Sequence, residues 1–205
     1  MGKLKIKKSD VWIDMTPMSD VMVLLLTFFM LTSTFVKNEP VKVNQPMSVS
    51  EIKIPEQNVL NIIVDKEGKV FMSMDNQNDV LTVIQDMNDK FSLNLTSQQL
   101  KKFQTDPMWG ISLSKLGTYL NLPADKMTEA ITSKEAGLPT DSIDKGKSEF
   151  QEWVTSVVDN TDDIKIAIKA DSDTPYAKIK KVMSELQDMD QNRYYLITSL
   201  KTGEE

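Results

Sequence analysis

The chain has 205 residues, with 24 Lys and Arg against 30 Asp and Glu and a formal net charge of −6. That length fits one or two modest domains, and the acidic balance carries no electrostatic footprint for nucleic acid. Cys and His are both absent, which removes disulfide frameworks, thiol nucleophiles, imidazole bases, zinc fingers and His-containing triads.

The amino terminus is basic, with Lys3, Lys5, Lys7 and Lys8 before the first acid at Asp10. Val21 to Val36 then runs for sixteen residues without a charge. A spanning helix needs roughly 20 residues at about 1.5 Å each to cross ~30 Å of hydrocarbon, so sixteen fall short. Residues 15–36 suffice, but only with Asp20 inside the membrane. The rival reading is the apolar core of a cleaved signal peptide, which expects small residues at the cleavage site. Bulky residues follow the run instead, and Asp14 and Asp20 lie on its approach, so an uncleaved single-pass anchor is expected. The early lysines keep residues 1–14 cytoplasmic and send the body across the membrane.

Residues 37–58 contain Pro40, Pro46 and Pro55 and read as an extended connector. An exported domain is expected over 59–205. Val59 to Val64 reads as a strand, Asp65 to Gly68 as a turn, and Lys69 to Met74 as the returning strand. Val80, Val83, Ile84, Met87 and Phe91 follow helical spacing, predicting a helix over 79–91. Residues 92–147 read as helical and loop-rich, with a helix from Pro123 to Glu135 and Trp109, Leu113, Leu116, Tyr119 and Leu120 as core. A further helix is expected over 148–158. Ile164, Ile166, Ile168 and Ala170 alternate with more polar neighbours, as in a half-buried strand. Asp173 and Pro175 predict a cap and a first-turn proline for a helix carrying Ile179, Val182, Met183 and Leu186. Tyr194 to Leu200 closes as a strand. The fold class is α+β: a small β-sheet packed by helices, behind one membrane helix.

Asp20 is the residue that carries chemistry. Its bland reading is a helix-start acid at the headgroup level, favoured by the macrodipole. Pro17 suits a first helical turn and Thr16 a cap, which puts Asp20 one turn inside. An acid at a membrane-helix centre costs about 2.5–3.5 kcal/mol and usually faces a bundle interior or water path. Hydrocarbon penalises its charged form, making it a natural proton carrier. Thr27 lies two turns further along the same face and Ser19 beside the acid. Thr34 extends the stripe. For these hydroxyls the bland reading is a bond back to the helix's own carbonyls.

Asp14 to Met30, with Thr16-Pro17-Met18-Ser19-Asp20-Val21 at its centre, resembles the opening of the membrane helix in ExbD/TolR biopolymer-transport proteins. There a T-P-x-x-D-V element starts the helix and its Asp binds protons. Ile166 to Tyr176 with Val182-Met183 resembles the family's strand, "aD…vpy" turn and helix, and Asn61 to Phe71 its first hairpin. Residues about 75–160 form an atypically long, helical insertion, to which nothing transfers. The resemblance implies a proton-channel stator subunit of an inner-membrane motor. A dimer of such helices sits in a ring of an ExbB/TolQ-like multi-spanning protein, with a periplasmic domain coupled to a TonB-like transducer. Protons are the coupling ion and no other cofactor is implied. A TolR-like subunit of a Tol envelope-maintenance system is the alternative output.

A rival of another class is a periplasmic binding or structural domain with an inert anchor. An enzyme ranks third: Asp159, Asp162 and Asp163, or Asp171 and Asp173, could be read as metal or acid-base sites, but solvated turn charges explain them better.

Overall fold

The computed structural model describes residues 15–33, 39–48, 58–141 and 146–200. The expected cytoplasmic segment 1–14, Thr34 and much of the connector lie outside those residues. The chain divides into two compact units, Met1–Lys37 and Asn38–Glu205. In the first, helix α1 spans Thr16–Thr32.

The second unit runs β1 (Met47–Ser48), β2 (Val59–Val64), β3 (Val70–Met74), α2 (Gln77–Phe91), α3 (Ser97–Thr105), α4 (Leu113–Leu120), α5 (Ala124–Thr132), α6 (Glu149–Asn160), β4 (Lys165–Ala170), α7 (Tyr176–Gln187), β5 (Tyr194–Ile197) and β6 (Ser199–Leu200). It is α+β, as expected. Strand order in the main sheet is β3-β2-β4-β5. The β2–β3 hairpin is antiparallel and the other two pairings are parallel. Gly68 makes the hairpin turn possible: its φ of +79° suits glycine, and its N–H donates to the Asp65 carbonyl at 2.7 Å.

Register places Leu60, Ile62, Ile166, Ile168 and Met72 on one sheet face, and all are buried. Ile63, Phe71 and Ala167 on the opposite face are equally buried. Strand β4 is therefore a central strand covered on both faces, not half-buried, because Ala167 is small enough to pass as an outward residue in the sequence. Tyr194 to Leu200 breaks at Thr198, and β6 turns to pair in parallel with β1. The expected Asp173 cap is also corrected: the N-cap of α7 is Pro175, with no side-chain cap.

The long middle segment completes the domain. Trp109 forms an antiparallel bridge to Met72 on the outer edge of β3, with N–H···O distances of 2.8 and 2.9 Å. Leu138 N–H donates to the Val70 carbonyl at 2.8 Å on the same strand. That edge is thus closed by hydrogen bonding rather than left as a template. Behind it, Phe103 stacks on Trp153 at 5.7 Å between ring centroids and 9° between planes, with Trp109 tilted against both. Leu113, Leu116, Tyr119 and Leu120 are buried as expected. Glu149, the first residue of α6, ties α4 to this frame by accepting from Ser112 Oγ and Leu113 N–H.

Gly110 and Gly117 separate steric need from tolerance. A Cβ at Gly110 would collide with the Phe71 ring, whereas at Gly117 the nearest atom is Leu95 Cδ2 at 4.0 Å. Gly110→Ala is expected to destabilise the domain by about 1–3 kcal/mol through overpacking. Gly117→Ala in helix α4 should be neutral or stabilising by up to about 1 kcal/mol. Urea unfolding of the two variants checks this, and equal costs would contradict the packing described.

Candidate functional site

Helix α1 starts where Pro17 fixes a helical φ at N1/N2. The expected cap is not Thr16. Met15 holds the N-cap position with αR backbone (φ −86°, ψ −3°), so the chain is already turning before Thr16, and no side-chain cap is made. Asp20 is the fifth helical residue, just beyond one turn.

No residue of α1 is buried. Every large apolar side chain from Met15 to Leu31 is more than half exposed, from 56% at Leu25 to 85% at Leu31. A helix apolar all round requires a nonaqueous or protein environment on all sides. Its seventeen residues give a length of ~25 Å at about 1.5 Å per residue. Among the described residues, no helix is long and apolar enough to cross a membrane by itself.

The hydroxyls and the acid on α1 differ in kind. Ser19 Oγ donates to the Met15 carbonyl at 3.2 Å and Thr27 Oγ1 to the Leu24 carbonyl at 2.9 Å. Thr32 Oγ1 does the same to Phe28 at 2.8 Å. These groups are satisfied within the helix. A carboxylate only accepts, and helix carbonyls offer it nothing. Asp20 makes no hydrogen bond or ion pair among the described residues. It shares a face with Thr27, seven residues on, which is about 20° short of two full turns.

A second polar centre lies where the chain enters the domain. Asp171, at the end of β4, is buried. Its Oδ1 accepts from Asp173 N–H at 3.0 Å and its Oδ2 from Asn44 N–H at 2.9 Å. Ser172 N–H donates to the Asn44 carbonyl at 2.8 Å. Lys169 pairs with Glu39 at 3.4 Å, Val41 is buried, and β1 follows on to β6. Residues 39–48, part of the segment read as a connector, thus form an extended strap docked along the domain. Val41 and Val43 alternate with polar neighbours, a strand-like signal that could have revealed the docking.

The donors on Asp171, Asp173 N–H first and Asn44 N–H second, hold its carboxyl below the usual range. In the insertion, Tyr119 OH donates to Asp106 at 2.7 Å, while burial pushes the Asp106 carboxyl up. No group of acidic side chains among the described residues is placed to hold a metal ion.

Comparison with known proteins places the chain. The family described as "Biopolymer transport protein ExbD/TolR" matches over residues 7–201. The chain belongs to the ExbD/TolR family of biopolymer transport proteins, and the match runs through the long middle segment. It is 28% identical over 80 residues to "Biopolymer transport protein exbD2" of Vibrio cholerae serotype O1, covering 39% of this chain. The chain spans about half the length of that curated relative, 52%. No solved structure matches.

Because the folded-state pKa of Asp171 is lowered, its contribution is present above the ordinary value of about 3.9. It is lost as pH falls through the lowered folded value. Acidification should therefore lower the protection factor of Asn44 N–H, measured against the unfolded-chain exchange rate at the same pH, before that of the sheet amides, and Asp171→Asn should give low Asn44 protection already at pH 7. Unchanged Asn44 protection in that variant would contradict the clamp.

Proposed function

We propose that this chain is the proton-carrying stator subunit of an ExbB–ExbD-type motor in the bacterial inner membrane. The observation that carries the reading is an apolar helix with no buried face and one carboxylate that its own helix cannot satisfy. On this reading residues 15–36 span the membrane, 1–14 remain cytoplasmic, 37–58 lead out, and 59–205 form the periplasmic domain. At seventeen residues α1 sits at the short end of the spanning range, about 17–25 residues. A short span is accommodated by local thinning or by oligomerising, which suits a homodimer of such helices enclosed by an ExbB/TolQ-like ring.

Within that ring the charged form of Asp20 faces polar groups or water, and the neutral form enters apolar surroundings. Alternation between the two makes proton flow and relative movement interdependent. One charge crossing 100 mV is worth about 2.3 kcal/mol, so a working stroke draws on several protons. Thr16 and Pro17 shape the helix start. Ser19 and Thr27, already satisfied, contribute polarity rather than proton transfer.

Output passes through the periplasmic domain to a TonB-like transducer that serves outer-membrane transport. The likeness to "Biopolymer transport protein exbD2" of Vibrio cholerae supports this output, and a Tol-type output is the alternative. With the β3 edge covered, β5 is the sheet edge that suits strand addition by a partner segment. A membrane-anchored domain without proton coupling is the reading to beat.

Asp20→Asn keeps the shape and removes ionisation. It is expected to cut energy-dependent uptake at least tenfold, about 1.4 kcal/mol or more in barrier terms, with normal membrane level and complex assembly. Asp20→Glu should retain part of the activity. Normal uptake by Asp20→Asn, or normal uptake after residues 11–36 are exchanged for an unrelated membrane helix, would falsify proton coupling.

A further inference from the structure

Helix α4 carries a glycine that the chain's own structure does not require. Gly117 lies inside α4 with helical backbone, outside the positive-φ region that Gly68 and Gly137 occupy. A Cβ there would meet nothing nearer than Leu95 Cδ2 at 4.0 Å. Glycine weakens a helix interior, yet neither backbone geometry nor internal packing calls for it here. Its effect is to lower one wall of a groove of about 340 Å³ formed by loop 93–95, α3 and α4. A side chain at 117 would project into that space.

The groove is neutral. None of its nine lining residues is charged, in a chain where 26% of residues are. It therefore offers no counter-charge to a phosphate, carboxylate or ammonium group, and seating one would strip its water without compensation. Half-buried Leu93 and Leu95 and buried Leu113 give apolar walls.

The polar groups at the rim are partly committed and partly open. Gln99 Nε2 donates to the Gly117 carbonyl at 3.2 Å and to Asn121 Oδ1 at 3.1 Å. That orients the Asn121 amide with its Nδ2 unused. Asn94 Nδ2 donates to the Ser92 carbonyl at 3.0 Å, which leaves Asn94 Oδ1 as an acceptor. Among the described residues, neither Asn121 Nδ2 nor Asn94 Oδ1 has a hydrogen-bond partner. One open donor, one open acceptor and apolar walls match a peptide unit, which carries one C=O, one N–H and a side chain. No aromatic ring lines the groove to stack on a sugar.

We propose that this groove binds a short, uncharged, extended peptide segment of a partner protein. The segment's C=O accepts from Asn121 Nδ2, its N–H donates to Asn94 Oδ1, and a small apolar side chain lies over Gly117. The long middle segment thereby has an interaction site of its own, besides covering the β3 edge. The groove lies wholly within the second compact unit and is independent of any role of α1.

The probe is tetra-alanine, acetylated at its amino end and amidated at its carboxyl end, added to the full chain in nanodiscs of neutral phosphatidylcholine. Because the chain has no Cys, a fluorophore can be placed uniquely through Gln98→Cys, exposed on α3 and outside the groove lining. A saturable fluorescence change with a millimolar Kd is expected. Gly117→Ala should weaken binding about tenfold by overfilling the groove, with an unchanged or raised urea midpoint. Asn121→Ala should weaken it about fivefold through loss of one hydrogen bond. Replacing one alanine of the probe by Glu or Lys should abolish binding. No saturation by about 10 mM probe, equal binding by Gly117→Ala, or equal binding of the charged peptides overturns the proposal. Saturable binding of chitotriose, lost in Gly117→Ala, also overturns it by assigning the groove to a neutral sugar.

Discussion

Helix α1 carries apolar side chains on every face and buries none of them. Leaving such side chains in water forgoes roughly 1.5–3 kcal/mol for each large one, so the helix is incomplete without an apolar environment. On the proposed reading, hydrocarbon or the inner faces of partner helices supply it. That requirement also makes Asp20 consequential. In water an exposed Asp on a helix is unremarkable surface; in an apolar sleeve it must find a polar partner or a proton. The proposed motor function follows from those two demands meeting on one helical turn.

The domain solves the opposite problem. Strands β2, β3 and β4 have both faces and the β3 edge covered, and the long middle segment supplies much of that cover through Trp109, Leu138 and the Phe103–Trp153 stack. The strap then fastens the incoming chain by hydrogen bonds to a buried carboxylate as well as by Val41 and Val43. Residues 39–48 bury Val41 and pack Val43 against the core, and the attachment is completed by Asp171, the Ser172–Asn44 hydrogen bond, the Lys169–Glu39 pair and the short β1–β6 pairing. A mechanical input through α1 would reach the domain at this point first.

Much of this was legible in the sequence because local signals agreed with the final packing. The hairpin, α2, α6, β4 and α7 each carry a period or turn chemistry that the tertiary structure keeps, and Trp109 and Tyr119 are core as their setting implied. Capping was misread at Thr16 and at Asp173, since a residue with a capping side chain need not hold the N-cap backbone conformation. The covered far face of β4 was missed because Ala167 has too little apolar surface to declare its side. Docking of the strap was missed because it rests on contacts more than a hundred residues apart, Asn44 to Asp171 and Glu39 to Lys169. Asp20 stood out from sequence for a different reason: a lone acid beside an uncharged run needs no tertiary context to be noticed.

The most direct measurement is infrared difference spectroscopy of the assembled complex in sealed proteoliposomes, with Asp20 isotopically marked at its carboxyl carbon. A proton gradient imposed in either direction should make the protonated-carboxyl band of that residue rise and fall with turnover. A band that stays fixed while the complex remains active would mean that Asp20 is not the group that exchanges protons.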